Sequence, residues 1–142
     1  MKLSNVRRWI HLVPKSGLHR HKPKPAPITI FKDILQQSKQ MVSEWGGEMY
    51  FVYLPSLHSL IPPVDWNHYF LAEARNREIV MRTLTELDIP IIDIQNEVFK
   101  THPDPLSLFP FRINAHYNAE GYRLVAEAIV KQLDADHYIK IN

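Results

Sequence analysis

A chain of 142 residues, 45% hydrophobic and 23% charged, has the composition of one soluble globular domain with a modest core. It contains no cysteine, which excludes disulfides, thiolate metal ligands and a thiol nucleophile. The formal net charge of +2 hides an uneven distribution: residues 1–26 hold seven Lys and Arg and no acid, leaving ten bases against fifteen acids in the rest. A basic arm can bind nucleic acid or anionic lipid. Trp9 is the only aromatic in this one, so it reads as a solvated linker, and nucleic acid is not an expected partner. No apolar run reaches about 18 residues, so no membrane span is expected. "MKLSNVRRWIHLVPK" lacks the apolar centre of a signal peptide. As written, the chain is expected to be cytoplasmic, or else to lack its true N-terminus.

In chain order, Leu3, Val6 and Ile10 have helical spacing. "VPKSGLHRHKPKPAP" then carries four prolines among alternating bases, the pattern of an extended linker. Residues 1–27 are therefore expected to be a helix plus a basic linker, and 28–142 a single domain. "ITIFKDILQQSKQMVSEW" places Phe31, Ile34, Leu35, Ser38, Met41, Val42 and Trp45 on one helix face, and Gly46–Gly47 end it. "EMYFVYLP" is an aromatic and β-branched strand closed by Pro55. "SLHSLIPPVDWNH" is a loop, and "YFLAEARNREIVMRTLTELD" is a long helix with its charges outward. "IPIIDI" is a short apolar strand, "QNEVFKTH" a helical turn or two, and "PDPLSLFPFRINAHY" a proline-rich loop. "NAEGYRLVAEAIVKQLD" is the last helix, with Asn118 as its cap, Glu120 at its positive end and Tyr122, Val125, Ala126, Ile129 and Leu133 as its buried stripe.

Helix, strand, helix, strand, helix is the alternation of a parallel α/β sheet covered on both faces. The expected fold is a three-layer α/β/α, flavodoxin-like parallel sheet. Only two strands are visible, and two strands alone are marginal. The chain is therefore expected to be the C-terminal part of a larger domain, with two clear strands and three to five helices.

"HYNAEGY", residues 116–122, lies on the loop before the last helix. With "GGEMYFVYLPS" and "IPIIDIQNEVF" as strands and exits, residues 28–134 resemble the end of an SGNH/GDSL-type hydrolase. The resemblance implies ester hydrolysis by a Ser–His mechanism, with His116 as general base, and no metal or organic cofactor. The substrate would be a small-molecule or glycan ester. A histidine suits the role because its unperturbed pKa lies near neutrality. Sites of open α/β sheets also lie beyond the carboxyl ends of the strands, where this loop falls. The family's "GDS" serine motif, its oxyanion glycine and its "G-x-N-D" asparagine are not found in this sequence. The D-x-x-H aspartate position is Ile113, with Asn114 following it. Without a nucleophile and oxyanion donors, acyl transfer loses most of its transition-state stabilisation. The chain is then expected to be inactive alone, or to be a non-catalytic binding module. Its bare strand edges would be covered by a missing N-terminal half or by a second copy.

Asp104 is a candidate orienter for His116, set against a plain turn role in "HPDP". Asp93 is a second one, set against a helix cap for "IQNEVF". Ser56 follows the first strand but lacks the flanking glycines of a nucleophile elbow. Tyr53, Ser56, His58, Trp66 and Asn114 are expected to line a substrate pocket. His19 and His21, even with His11 and His58, fall short of a four-ligand zinc site.

Overall fold

The structure is a computed structural model that describes residues 27–61 and 67–137, with the backbone alone for 67–72. The expected N-terminal helix and basic linker, and Trp66, lie outside the described residues. Helix α1 spans Ile28–Glu44, strand β1 Phe51–Tyr53 and a single-turn helix α2 Leu57–Leu60. Helix α3 spans Asn67–Glu86, strand β2 Ile91–Asp93 and helix α4 Ala119–Ala135. A π-helical turn, Gln95–Phe99, follows β2. Two 3₁₀ turns, Pro105–Leu108 and Pro110–Arg112, build the long loop before α4. The chain is thus mixed α/β and mostly helical. Among the described residues its sheet has two strands, paired in parallel with Phe51, Val52 and Tyr53 opposite Ile91, Ile92 and Asp93.

Side chains alternate across a strand, and the core divides accordingly. Val52, Ile92 and Ile94 join a cluster with Val98, Phe99, Leu108, Phe109, Val125 and Ala128. Phe51 and Ile91 join a smaller one around Leu35, Leu84 and Ile89, contributed by α1 and α3. The first cluster is the larger because the π turn and the proline-rich loop fold into it. Rings of Phe99, Phe109 and Tyr117 lie with centroids 5.1–5.7 Å apart.

Helices α1 and α3 end alike. After α1, Gly46 takes φ 78°, Gly46 N–H donates to the Ser43 carbonyl and Gly47 N–H to that of Val42, both at 3.0 Å. After α3, Asp88 takes φ 51°, and Asp88 and Ile89 N–H donate to the carbonyls of Thr85 and Leu84. Both are Schellman ends, which satisfy orphan carbonyls through a left-handed residue. Lys39 of α1 ties the two together, donating to the Leu87 and Asp88 carbonyls at 2.8 and 2.6 Å.

Two expected stripes shift. In α1, Leu35 is buried and Phe31, Ser38 and Val42 are half-buried, whereas Ile34, Met41 and Trp45 turn outward with Ile30. Both sides of this helix are apolar, so periodicity alone merges them. In α4 the buried residues are Gly121, Val125 and Ala128, while Tyr122 is 54% exposed and Ala126 exposed. The small residues face inward because the helix packs closely on the loop: a Cβ on Gly121 would sit 2.8 Å from the Leu108 carbonyl oxygen.

Candidate functional site

The loop carrying His116 is built by its neighbours. Asn118 takes extended φ/ψ as the N-cap of α4, and its Oδ1 accepts from Gly121 N–H at 2.9 Å. Its amide Nδ2 donates to the Ser107 carbonyl and its backbone N–H to that of Leu108. Tyr117 is half-buried, and its hydroxyl donates to the carbonyl of the fully buried Pro55 at 2.5 Å. Burial holds its phenol well above the ordinary tyrosine range. The run from Asn118 to Tyr122 is thus a cap, a close packing contact and a helix start. Tyr117 ties the loop to the exit of β1.

His116 itself is exposed. Its backbone N–H donates to Asn114 Oδ1 at 3.1 Å, and its imidazole has no hydrogen-bond partner among the described residues. Asp104 does not serve it: both carboxylate oxygens accept from Arg112, at 2.9 and 2.5 Å. That ion pair clips the loop across Phe111 and Arg112, which adopt left-handed φ of 55° and 60°. Such conformations are strained for residues with a Cβ. Phe111 and Ile113 stand 90% and 79% exposed beside it.

At the carboxyl end of the strand pair, polar groups converge. Ser56 starts α2 and its hydroxyl donates to Glu73. Arg77, one turn further along α3, pairs with Asp93 at the end of β2 and lies 5.2 Å from the centroid of the Tyr53 ring. Asp93 also accepts from the Asn96 side chain at 2.5 Å and, at 3.4 Å, from its backbone N–H. The helix-cap reading of Asp93 is met only in part: the cap position of the π turn is Ile94, with no side-chain cap bond, and Asp93 instead holds Asn96 from one residue before it and pairs with Arg77. A cavity of about 170 Å³ is lined by Tyr53, Ser59, Glu73, Ala74, Arg77 and Gln95. Burial raises the Tyr53 phenol, with Arg77 opposing the shift. Two buried polar atoms here, Arg77 Nε and Gln95 Oε1, have no partner among the described residues.

Of the expected pocket residues, Tyr53 lines this cavity and Ser56 bonds to its wall. His58 is exposed on α2, and Asn114 stays with the His116 loop. Glu73 and Arg77 were missed because the charges of α3 read as pointing outward, and Gln95 because it sits in a turn after β2 that drew no site reading. A signal was present: residues 73, 77, 80 and 84 share one helical stripe. Val80 and Leu84 on it are core residues, so the core-facing side of α3 continues into a glutamate and an arginine.

No protein-family model matches the chain, and no curated protein or solved structure matches it. Among the described residues, no helix is long and apolar enough to cross a membrane.

Proposed function

We propose that this chain carries the base side of an SGNH-type serine ester hydrolase, as the C-terminal part of a flavodoxin-like, three-layer sheet. One observation carries the reading: the His116 imidazole is solvent-exposed and has no hydrogen-bond partner among the described residues, on a loop that Tyr117 ties to the exit of β1, at the carboxyl edge of a parallel pair. Ligand sites of such sheets form there. In the intact site a serine would attack the ester carbonyl and His116 would take its proton, returning it to the leaving alkoxide. The acyl-enzyme would then be hydrolysed by water activated through the same imidazole. Serine and oxyanion donors would come from a further polypeptide segment, because the sequence holds neither a "GDS" nor a "G-x-N-D" motif; the hydroxyl of Ser56 is engaged by Glu73.

The alternative, a binding module without chemistry, is favoured by a different observation: the cavity beside Tyr53 is formed without any contribution from His116.

Intact-mass analysis after treatment with a fluorophosphonate probe tests the hydrolase reading, with His116→Ala alongside. The folded chain alone is expected to take no adduct. It should label only when the segment supplying the serine is restored, and only with His116 present. An adduct on the chain alone that needs His116 would place the nucleophile here, with Ser56 the first site to map. Labelling of the restored protein that is indifferent to His116→Ala would remove the histidine from the chemistry and overturn the proposal.

A further inference from the structure

Helix α1 is held by one side. Leu35 is its buried residue, with Phe31, Ser38 and Val42 half-buried beside it. Its two lysines reach the end of α3: Lys32 pairs with Glu86, and Lys39 donates to the carbonyls of Leu87 and Asp88. About 160° round the helix from those lysines, Ile30, Ile34, Met41 and Trp45 form a second apolar stripe, each more than half exposed. The stripe runs about 22 Å from end to end. Large apolar side chains gathered on one exposed face mark an interaction surface. Asp33 and Glu44 border the stripe on one flank. Glu44 accepts from the Gln40 side chain, and neither acid has a basic partner among the described residues.

The segment that precedes α1 has the matching chemistry. It enters at Pro27, three residues before Ile30. Its Leu3, Val6, Ile10 and Val13 recur at intervals of three and four, the spacing of one helical face. Arg7 and Arg8 interrupt that pattern, and residues 1–26 as a whole hold seven bases and no acid. That charge complements the Asp33 and Glu44 flank, whereas the stripe of a second copy would bring the same two acids to it. Reach is sufficient. The chain from Val13 to Pro27 spans up to about 45 Å when extended, and α1 is about 25 Å long. Tethering also favours this occupant: a segment on a short linker meets the stripe at an effective concentration on the order of millimolar, without waiting for a second molecule.

We propose that residues 3–13 fold back onto α1, seating Leu3, Val6, Ile10 and Val13 on Ile30, Ile34, Met41 and Trp45, with Arg7 and Arg8 beside Asp33 and Glu44. The basic arm is then a strap for its own domain, with residues 14–26 as the turn-back. The strap is independent of the hydrolase reading, since neither the His116 loop nor the strand ends take part in it.

The test is two-dimensional NMR on the isotopically labelled 142-residue chain. The chain has no cysteine, so Ser4→Cys gives a single site for a nitroxide label, off the apolar side of the arm. At low salt the label is expected to broaden the amide signals of residues 30–45 severalfold more than those of α4, which packs on the opposite face of the sheet. Ile34→Glu and Met41→Glu should each abolish that difference. Both side chains are already more than half exposed, and unchanged α4 signals will show that the fold survives. Reversing Arg7 and Arg8 to Glu should weaken the broadening, and so should added salt, which screens exposed ion pairs. Broadening of α1 no greater than that of α4 would leave the stripe without the arm. Broadening that persists in both glutamate variants would put the arm elsewhere. Broadening of an isotopically labelled chain by a separate, spin-labelled one would seat a second copy on the stripe. Each of these results overturns the proposal.

Discussion

The two faces of the strand pair are finished differently. On the α4 face, Val52, Ile92 and Ile94 meet the rings of Phe99, Phe109 and Tyr117, and the nine buried residues of this cluster are all apolar. On the α3 face, Phe51 and Ile91 pack on Leu35, Leu84 and Ile89. One pleat further on, Tyr53 and Asp93 turn the same face over to Arg77 and Glu73. A two-stranded sheet is marginal by itself, so the first face has to supply most of the adhesion. The second can then carry charged side chains at its end. Apolar adhesion and polar pairing are thus separated by a few residues along each strand.

The largest expected effects test that division. Phe99 is 1% exposed and touches two other rings. Phe99→Ala should cost about 3–5 kcal/mol in urea unfolding, enough to unfold a small domain at room temperature. Leu84 is fully buried in the smaller cluster, and Leu84→Ala should cost about 2–3 kcal/mol, near the lower end for leucine. Equal losses would mean that the two faces share the load and that the comparison is wrong.

Next comes the junction between α4 and the proline-rich loop. Gly121→Ala places a Cβ 2.8 Å from the Leu108 carbonyl oxygen and 3.0 Å from the Tyr117 Cβ. The first neighbour is backbone, and it already accepts from Asn118 N–H. The helix cannot approach as closely, and about 1–3 kcal/mol should be lost despite the better helix propensity of alanine. A gain in unfolding free energy would show that the loop yields freely.

A smaller effect appears at high pH. The Tyr117 phenol is held above its ordinary range by burial first, and by the neighbouring tyrosines Tyr122 and Tyr53 second. A folded pKa above the unfolded one means that the unfolded chain releases its proton first. The stabilisation is full below about pH 10, where an unperturbed tyrosine titrates, and is lost as pH rises through the folded pKa. Unfolding midpoints followed from pH 8 upward should therefore fall once about pH 10 is passed. Tyr117→Phe should flatten that decline while lowering stability at neutral pH, since the Pro55 carbonyl loses its donor. A decline unaltered by the substitution would assign it to other tyrosines.

How much of this was legible in the sequence depended on how local each signal is. The Gly46–Gly47 end of α1, the Asn118 cap and the order of the longer helices and strands rest on neighbouring residues and read correctly, whereas the single turn of α2 fell in a stretch read as a loop. The strands are only three residues each, shorter than the apolar runs "EMYFVYLP" and "IPIIDI". Pairing between two strands, not apolar content, sets their length. Asp104 read as a turn residue in "HPDP" or as an orienter for His116, because both residues share a loop. Its true partner, Arg112, lies on the same loop as well, and only the left-handed turn at Phe111 and Arg112 decides between them. The Arg77–Asp93 pair and the orphan Gln95 join α3 to the strand ends across a fold that no local pattern reports. The stripe through residues 73, 77, 80 and 84 was the one available hint.

His116→Ala should have the smallest effect on stability. The imidazole is exposed and has no hydrogen-bond partner among the described residues, and the loop is held by groups that the substitution leaves alone. These are the Asn114 contact to the backbone of residue 116, the Asn118 cap, the Tyr117–Pro55 bond and the Asp104–Arg112 clip. Exposed substitutions away from such features fall within about 0.5 kcal/mol. A near-zero change in the urea midpoint, beside the losses expected at Phe99 and Gly121, would show that the loop holds its shape without the imidazole. The surrounding structure would then owe nothing to the side chain that a general base requires. A loss above about 1 kcal/mol would instead give His116 a structural contact, and a side chain already used for packing is poorly placed to turn toward a substrate.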